Sequence, residues 1–262
     1  MARTAKAALK SAPRLVTVDG APAEVARQPR QNHVNLFDLA YDRLEELIVS
    51  CVLKPGQQVT ILDLQSLLGL GRTPVHQAVN RLASDTLIIV RPRHGLQVAP
   101  VDLARERSLL RLRRDIERFV VQLAAERANA VQRSQLLHIA RGLRARRTTM
   151  TVEDFNLLDR RIDRLLIAAS DEPFLEHTMR PLQTISRRVG WLYHRCVAEP
   201  VKLLGTIDRH LSIVEAVANR QAPAAMSATD SLIDFVDSMF EAMENEIDPS
   251  LLDCSFEPLV TR

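Results

Sequence analysis

Between Arg72 and Leu82 the apolar residues Val75, Ala78, Val79 and Leu82 recur at three- and four-residue spacing, so a helix here buries one face. The opposite face then carries Arg72, Thr73, His76, Gln77, Asn80 and Arg81, all polar, all able to donate, and without a carboxylate. That chemistry suits the major groove of double-stranded DNA, where Arg pairs with guanine and Gln or Asn with adenine. Thr73 and the helix N-terminus suit phosphate. A second basic element follows in the turn Arg91-Pro92-Arg93-His94-Gly95, and across residues 72–95 four arginines face Asp85 as the one acid. A polar outer face is also what any surface helix presents, so the groove reading depends on its context.

A second constellation lies further along. Asp159 and Asp163 are four residues apart and share a helix face, and His210 sits on a later helix able to pack beside it. Two carboxylates and an imidazole can hold a divalent cation such as zinc, which would permit metal-assisted hydrolysis. The same run, Asp159-Arg160-Arg161-Ile162-Asp163-Arg164, equally describes a solvated, salt-bridged face. Against an enzyme, the chain has no HExxH, no GxSxG and no Walker-type GKS/T. Arg113 has Glu117 one turn on, as an exposed pair would. Trp191, four residues after Arg187, could stack over a planar ligand or fill a core.

These residues need elements to hold them. Leu36, Ala40, Leu44, Leu47, Ile48 and Cys51 form one helical stripe, stopped by Pro55-Gly56. Thr60 caps a short second helix ended by Gly69-Leu70-Gly71, and Arg72-Thr73-Pro74 opens the third. Leu87–Val90 and Leu96–Ala99 read as a strand and its return around the basic turn. Three helices and a ribbon within residues 33–100 have the order of a winged helix-turn-helix. Residues 103–247 carry helical periodicity near 103–129, 132–147, 151–169, 173–197, 200–220 and 222–246, which predicts an antiparallel all-helical bundle. The expected class is therefore mainly α. Residues 248–262 form a tail with no assignment.

Composition agrees with that class. Eight glycines in 262 residues are about 3%, under half the usual ~7%, which disfavours sandwiches, Rossmann sheets and phosphate-cradling loops. Only four of the 35 basic residues are lysines. Residues 101–150 hold twelve basic and five acidic residues, whereas 151–262 hold eleven and nineteen. Residues 1–32, with six basic and two acidic residues, read as a disordered basic arm, although residues 1–18, basic and acid-free, have the composition of an organellar transit peptide. Cys51, Cys196 and Cys254 are odd in number and far apart, which fits no disulfide framework. With no apolar run of ~18 residues, a cytoplasmic protein is expected.

Leu53-Lys54-Pro55-Gly56, the run Leu70-Gly71-Arg72-Thr73-Pro74-Val75-His76-Gln77-Ala78-Val79-Asn80-Arg81-Leu82, and Arg93-His94-Gly95-Leu96-Gln97-Val98 together resemble the GntR family of bacterial transcription regulators. The resemblance puts Arg72 and Thr73 at positions used for operator contacts and His94-Gly95 at the wing tip. It departs at Gly71, where a Ser cap is usual, at His76-Gln77 in place of Arg-Glu, and at Thr86 in place of Gly. Residues 103–246 resemble, less specifically, the FCD effector domain of FadR-type members. By that resemblance Arg113 helps hold a carboxylate effector, and Asp159, Asp163, His210 and Leu232 occupy the positions of a metal's Asp and three His. Two of the four are changed, which leaves either a depleted site or an effector bound without metal. The implied function is a homodimer that reads a palindromic operator and responds to a small organic acid held by Arg113, Arg187, Trp191 and His210. The alternatives are the metal-assisted hydrolase and a DNA binder that needs no effector.

Overall fold

The computed structural model describes residues 35–197 and 202–256; the expectations for residues 1–32, the break at Glu199-Pro200 and the last six residues lie outside these. The fold is mainly helical, with an N-terminal region of winged helix-turn-helix type and a C-terminal all-helical bundle. Helix α1 (Leu36–Val49) starts at Asn35, whose side chain accepts from the Phe37 amide, and buries Ala40, Tyr41, Leu44 and Ile48. Helix α2 (Ile61–Leu68) opens on a reciprocal capping box between Thr60 and Asp63 and ends at Gly69, whose φ of 64° is free of strain only for glycine. Helix α3 (Arg72–Ser84) begins at Gly71 without a side-chain cap, and Val75, Ala78, Val79 and Leu82 are buried as their spacing predicts.

The sheet has one strand more than the sequence suggests. Strands β2 (Ile88–Arg91) and β3 (Gly95–Val98) pair antiparallel with Ile88 opposite Val98 and Arg91 opposite Gly95. Strand β1 (Gln58–Val59) adds to the other edge of β3, giving the order β1-β3-β2. Two residues are too few to carry a readable alternation, so β1 is visible only once β3 supplies its partner. Thr86, where the resembling family has Gly, holds a left-handed φ of 63°, costly for a β-branched residue.

Beyond the sheet run α4 (Leu103–Arg127), α5 (Ala130–Ala145), α6 (Val152–Ser170), α7 (Pro173–Leu192), α8 (Lys202–Ala218) and α9 (Ala222–Glu246). The helix expected over 173–197 ends its α-helical part at Leu192 and continues as a π-helical turn, Tyr193–Val197. Helix α4 packs on α6 and α9, and α8 lies against α5 and α9. Val121, Ala124, Leu136, Leu143, Ile162, Met179, Ile207, Ile233 and Phe240 fill the bundle core.

Helix α7 joins the two parts. Its Ile185 belongs to the core of the N-terminal winged-helix region, the head, with Leu44, Val79 and Leu82. Its Arg188 is fully buried, donating to the Ala99 carbonyl at 2.7 Å, the Pro100 carbonyl at 3.3 Å and Glu106 at 2.8 Å. The tail also contributes: α10 (Pro249–Leu252) offers the Leu252 carbonyl to the Val101 amide, and the Cys254 amide donates to the Pro55 carbonyl, each at 2.8 Å. Gly56, beside this return, holds a left-handed φ of 81° that favours glycine, and the Asp253 side chain lies against it.

Candidate nucleic-acid interface and effector cavity

On α3, Arg72, Thr73, His76, Gln77 and Asn80 are all exposed, and Asn80 Nδ2 lies 3.3 Å from His76 Nδ1. Arg81 departs from the expected face. It is half-buried, and its guanidinium reaches Asp85 at 3.2 Å and His177 of α7 at 3.2 Å. Tyr41 donates to the same Asp85 at 2.8 Å, so the one acid of this region is buried and occupied by structural partners. Arg93, His94 and Gly95 are exposed in the turn between β2 and β3, with left-handed φ at Arg93 and Gly95. Arg91 is held by Gln97 Oε1 at 2.9 Å. The exposed half of α3 and the wing turn thus offer guanidinium, amide, hydroxyl and imidazole groups with no exposed carboxylate among residues 72–95.

Within the bundle Arg113, Asp159, Arg187, Trp191 and His210 line one cavity, with Leu232, His194 and Thr206 also in its wall. Asp159 and Asp163 are buried, so the solvated-face reading of that helix fails for these two. Arg113 is buried as well, donating to Glu117 at 2.6 Å, rather than forming an exposed pair. Trp191 is half-buried in the cavity wall. His210 Nδ1 lies 2.8 Å from the Thr206 carbonyl and Nε2 lies 3.0 Å from Asp159 Oδ1. Burial alone would depress this imidazole, but the Asp159 carboxylate and the Thr206 carbonyl hold its pKa above the ordinary value. Asp159 is pulled the other way by the same pairing, against its own desolvation, and stays ionised. Asp163 is pushed up to about 8 by burial and by the Asp159 charge, against the pull of Arg187. At neutral pH it is therefore mostly a neutral acid.

This donor set does not suit a tightly held divalent cation. The Nε2 that would ligate is committed to Asp159, Asp163 is mostly protonated, Leu232 offers no donor, and the Arg113 and Arg187 guanidinium groups act on the same carboxylates. Among the described residues no three His, Cys, Asp or Glu side chains are grouped to hold a metal ion. The cavity's free volume is about 50 Å³, room for one or two waters, so an organic acid must push its walls apart to enter.

Arg187 faces two ways. Besides lining this cavity it donates to Glu45 of α1 at 3.1 Å and to Thr184 at 3.0 Å, and it lies 3.5 Å from Asp163. Thr184 also donates to Glu45. Glu45 is 1% exposed, and despite burial its carboxyl is held below the usual range by Arg187, Arg160 and Arg180. Sequence reasoning missed Glu45. The available signal was its place beside Leu44, one turn after Tyr41 and within the apolar stripe of α1.

Two family models match the chain, that of bacterial regulatory proteins of the gntR family over residues 37–98 and that of the FCD domain over residues 108–235. The chain is a GntR-family regulator with an FCD-like C-terminal domain. The HTH-type transcriptional repressor RspR of Escherichia coli K12 is 28% identical over 191 residues, spanning 72% of this chain and 81% of that one. The solved structure of E. coli McbR/YncC superposes with a TM-score of 0.70 at 20% identity, covering 81% of this chain and 100% of the other. A putative GntR transcriptional regulator from Rhodococcus sp. RHA1 gives 0.59 at 17%, with 79% and 98% covered. At these identities the structural likeness establishes the fold. As a GntR/FCD protein the chain is a DNA-binding transcriptional regulator, and its relatives support effector binding in general. Among the described residues no helix is long and apolar enough to cross a membrane.

Proposed function

We propose that this GntR regulator, of the FadR type, binds a palindromic operator as a homodimer and releases or retains it according to a small carboxylate effector. Residues 33–100 read the DNA and residues 103–247 bind the effector and dimerise. One observation carries the reading: the exposed half of α3 presents Arg72, Thr73, His76, Gln77 and Asn80 with no acid among them, over a fully buried apolar face. Arg93, His94 and Gly95 at the wing tip add contacts beside it. A single head makes few base contacts, and two heads on a two-fold axis match an inverted repeat.

The effector occupies the cavity of Arg113, Arg187, Trp191 and His210. Its carboxylate competes with Glu45 for the Arg187 guanidinium, so binding in the bundle alters the hold on α1 of the head. Metal has no part in this scheme, because the donors present do not fit one.

Arg72→Ala is expected to cost ~1–3 kcal/mol of affinity for a duplex recovered by selection from random sequence, if Arg72 reads a base. Fluorescence anisotropy at fixed salt measures it, and an unchanged affinity removes Arg72 from the interface.

A further inference from the structure

A second, wider cavity lies between α1, α6 and α7 and measures about 590 Å³. Charges on its floor are matched: Arg160, Arg164 and Arg180 share Asp42, and Arg160, Arg180 and Arg187 share Glu45. Those at the mouth are not. Asp38 of α1, Asp171 and Glu172 between α6 and α7, and Glu176 of α7 line it, three of them exposed. Among the described residues Asp38 and Asp171 have no cationic partner, Glu172 accepts from the Phe174 amide at 3.2 Å, and Glu176 reaches Arg180 only at 3.8 Å. A second observation is independent of these acids. Gln183 is 4% exposed and lines the same cavity, and its side-chain amide has no hydrogen-bond partner among the described residues. That amide is not occluded as Arg160 Nε is, so its donor and acceptor open on the cavity. A buried amide in this state lacks bonds that a ligand can supply. Gln183 lies two turns after Glu176 on the same side of α7, about 10 Å deeper.

We infer that this cavity binds a small organic cation, an amine seated at the mouth whose uncharged remainder carries hydroxyl groups to Gln183. The sign of the charge follows from the mouth, where an ammonium group answers four carboxylates that repel one another. The uncharged remainder follows from the interior. The guanidinium groups around Asp42 and Glu45 disfavour a second ammonium, whereas the Gln183 amide both donates to and accepts from a hydroxyl. Ile167, Ala168 and Pro173 give the carbon chain an apolar wall. Because Asp38 belongs to α1 of the head and the other three acids to the bundle side, the bound cation ties the two together. This site stands whether or not the cavity of Trp191 and His210 takes an effector.

Isothermal titration of the full chain with N-methylglucamine, a linear amino polyol, tests the inference. Sorbitol is its uncharged counterpart, putrescine the dication without hydroxyls, and sodium chloride the control for ionic strength. One N-methylglucamine per chain is expected, with no heat from sorbitol or chloride and putrescine at least tenfold weaker. Asp171→Asn and Glu176→Gln should each weaken N-methylglucamine at least tenfold, and Gln183→Leu should bring it down to the level of putrescine. Asn tolerates the left-handed φ of 52° at position 171, and Glu176 is exposed, so both acid variants keep the fold. Trp191→Ala should leave the affinity unchanged. No binding at millimolar N-methylglucamine, sorbitol or putrescine binding as tightly, or an affinity unchanged in Gln183→Leu or in both acid variants would overturn the site. Loss in Trp191→Ala alone would place the ligand in the other cavity and overturn it too.

Discussion

Arg188→Met is expected to destabilise the protein by about 3–5 kcal/mol, the usual cost of leaving a buried charge without its partner. Arg188 is 1% exposed and Glu106 2%. Glu106 already sits above the ordinary carboxylate range because burial outweighs the pull of Arg188. Removing the guanidinium strips Glu106 of its counter-ion and leaves the Ala99 and Pro100 carbonyls without their donor. For a total stability of ~5–15 kcal/mol this is a large fraction. The double variant Arg188→Met with Glu106→Leu should recover much of the loss, since a pair replaced by apolar groups is often near neutral. Urea unfolding followed by circular dichroism measures both. A single-variant loss under about 1 kcal/mol would mean that the pair does not anchor the connection from β3 to α4.

The second large effect is on pH dependence. Asp163 has a folded-state pKa of about 8 against an ordinary carboxylate value, so between pH ~4 and ~8 the folded chain holds a proton that the unfolded chain has released. Stability therefore falls as pH rises through that window, with a slope from this group of at most ~1.4 kcal/mol per pH unit. His210 acts in the same direction, because its raised pKa gives stability that is lost as pH climbs through the folded value. Glu45, Asp42 and Asp159 have lowered values and act oppositely, losing their contribution only as pH falls below the ordinary carboxylate range. Asp163→Asn mimics the neutral acid, so it should flatten the decline and be more stable than the parent at pH above ~8. Parallel stability curves for the two proteins from pH ~5 to ~9 would show that Asp163 ionises normally.

Local pattern carried much of the architecture. The stripe Val75, Ala78, Val79, Leu82 identified α3 because its period needs no partner, and Thr60 marked the start of α2 as a local cap. What escaped depends on contacts far along the chain. Arg81 looked like part of the reading face until His177, 96 residues away, took its guanidinium. Asp159 and Asp163 were readable as sharing a helix face. That this face turns inward, while Arg160 and Arg164 reach Asp42 of the head, follows only from the packing of α6 against its neighbours. The tail had no periodicity to read, since its role is two backbone hydrogen bonds and a close approach to Gly56.

Charge counting alone favours a different DNA surface, the strongly basic stretch of residues 101–150, over the nearly neutral head. Much of that charge is already committed: Arg107 pairs with Asp237, Arg118 with Asp230 and Arg147 with Asp208. Hydrogen–deuterium exchange of the full chain with and without its selected duplex separates the two surfaces. Protection is predicted for residues 72–80 and 91–95, with residues 101–150 unchanged. Protection confined to 101–150, with α3 and the wing exchanging as in the free protein, would contradict the account.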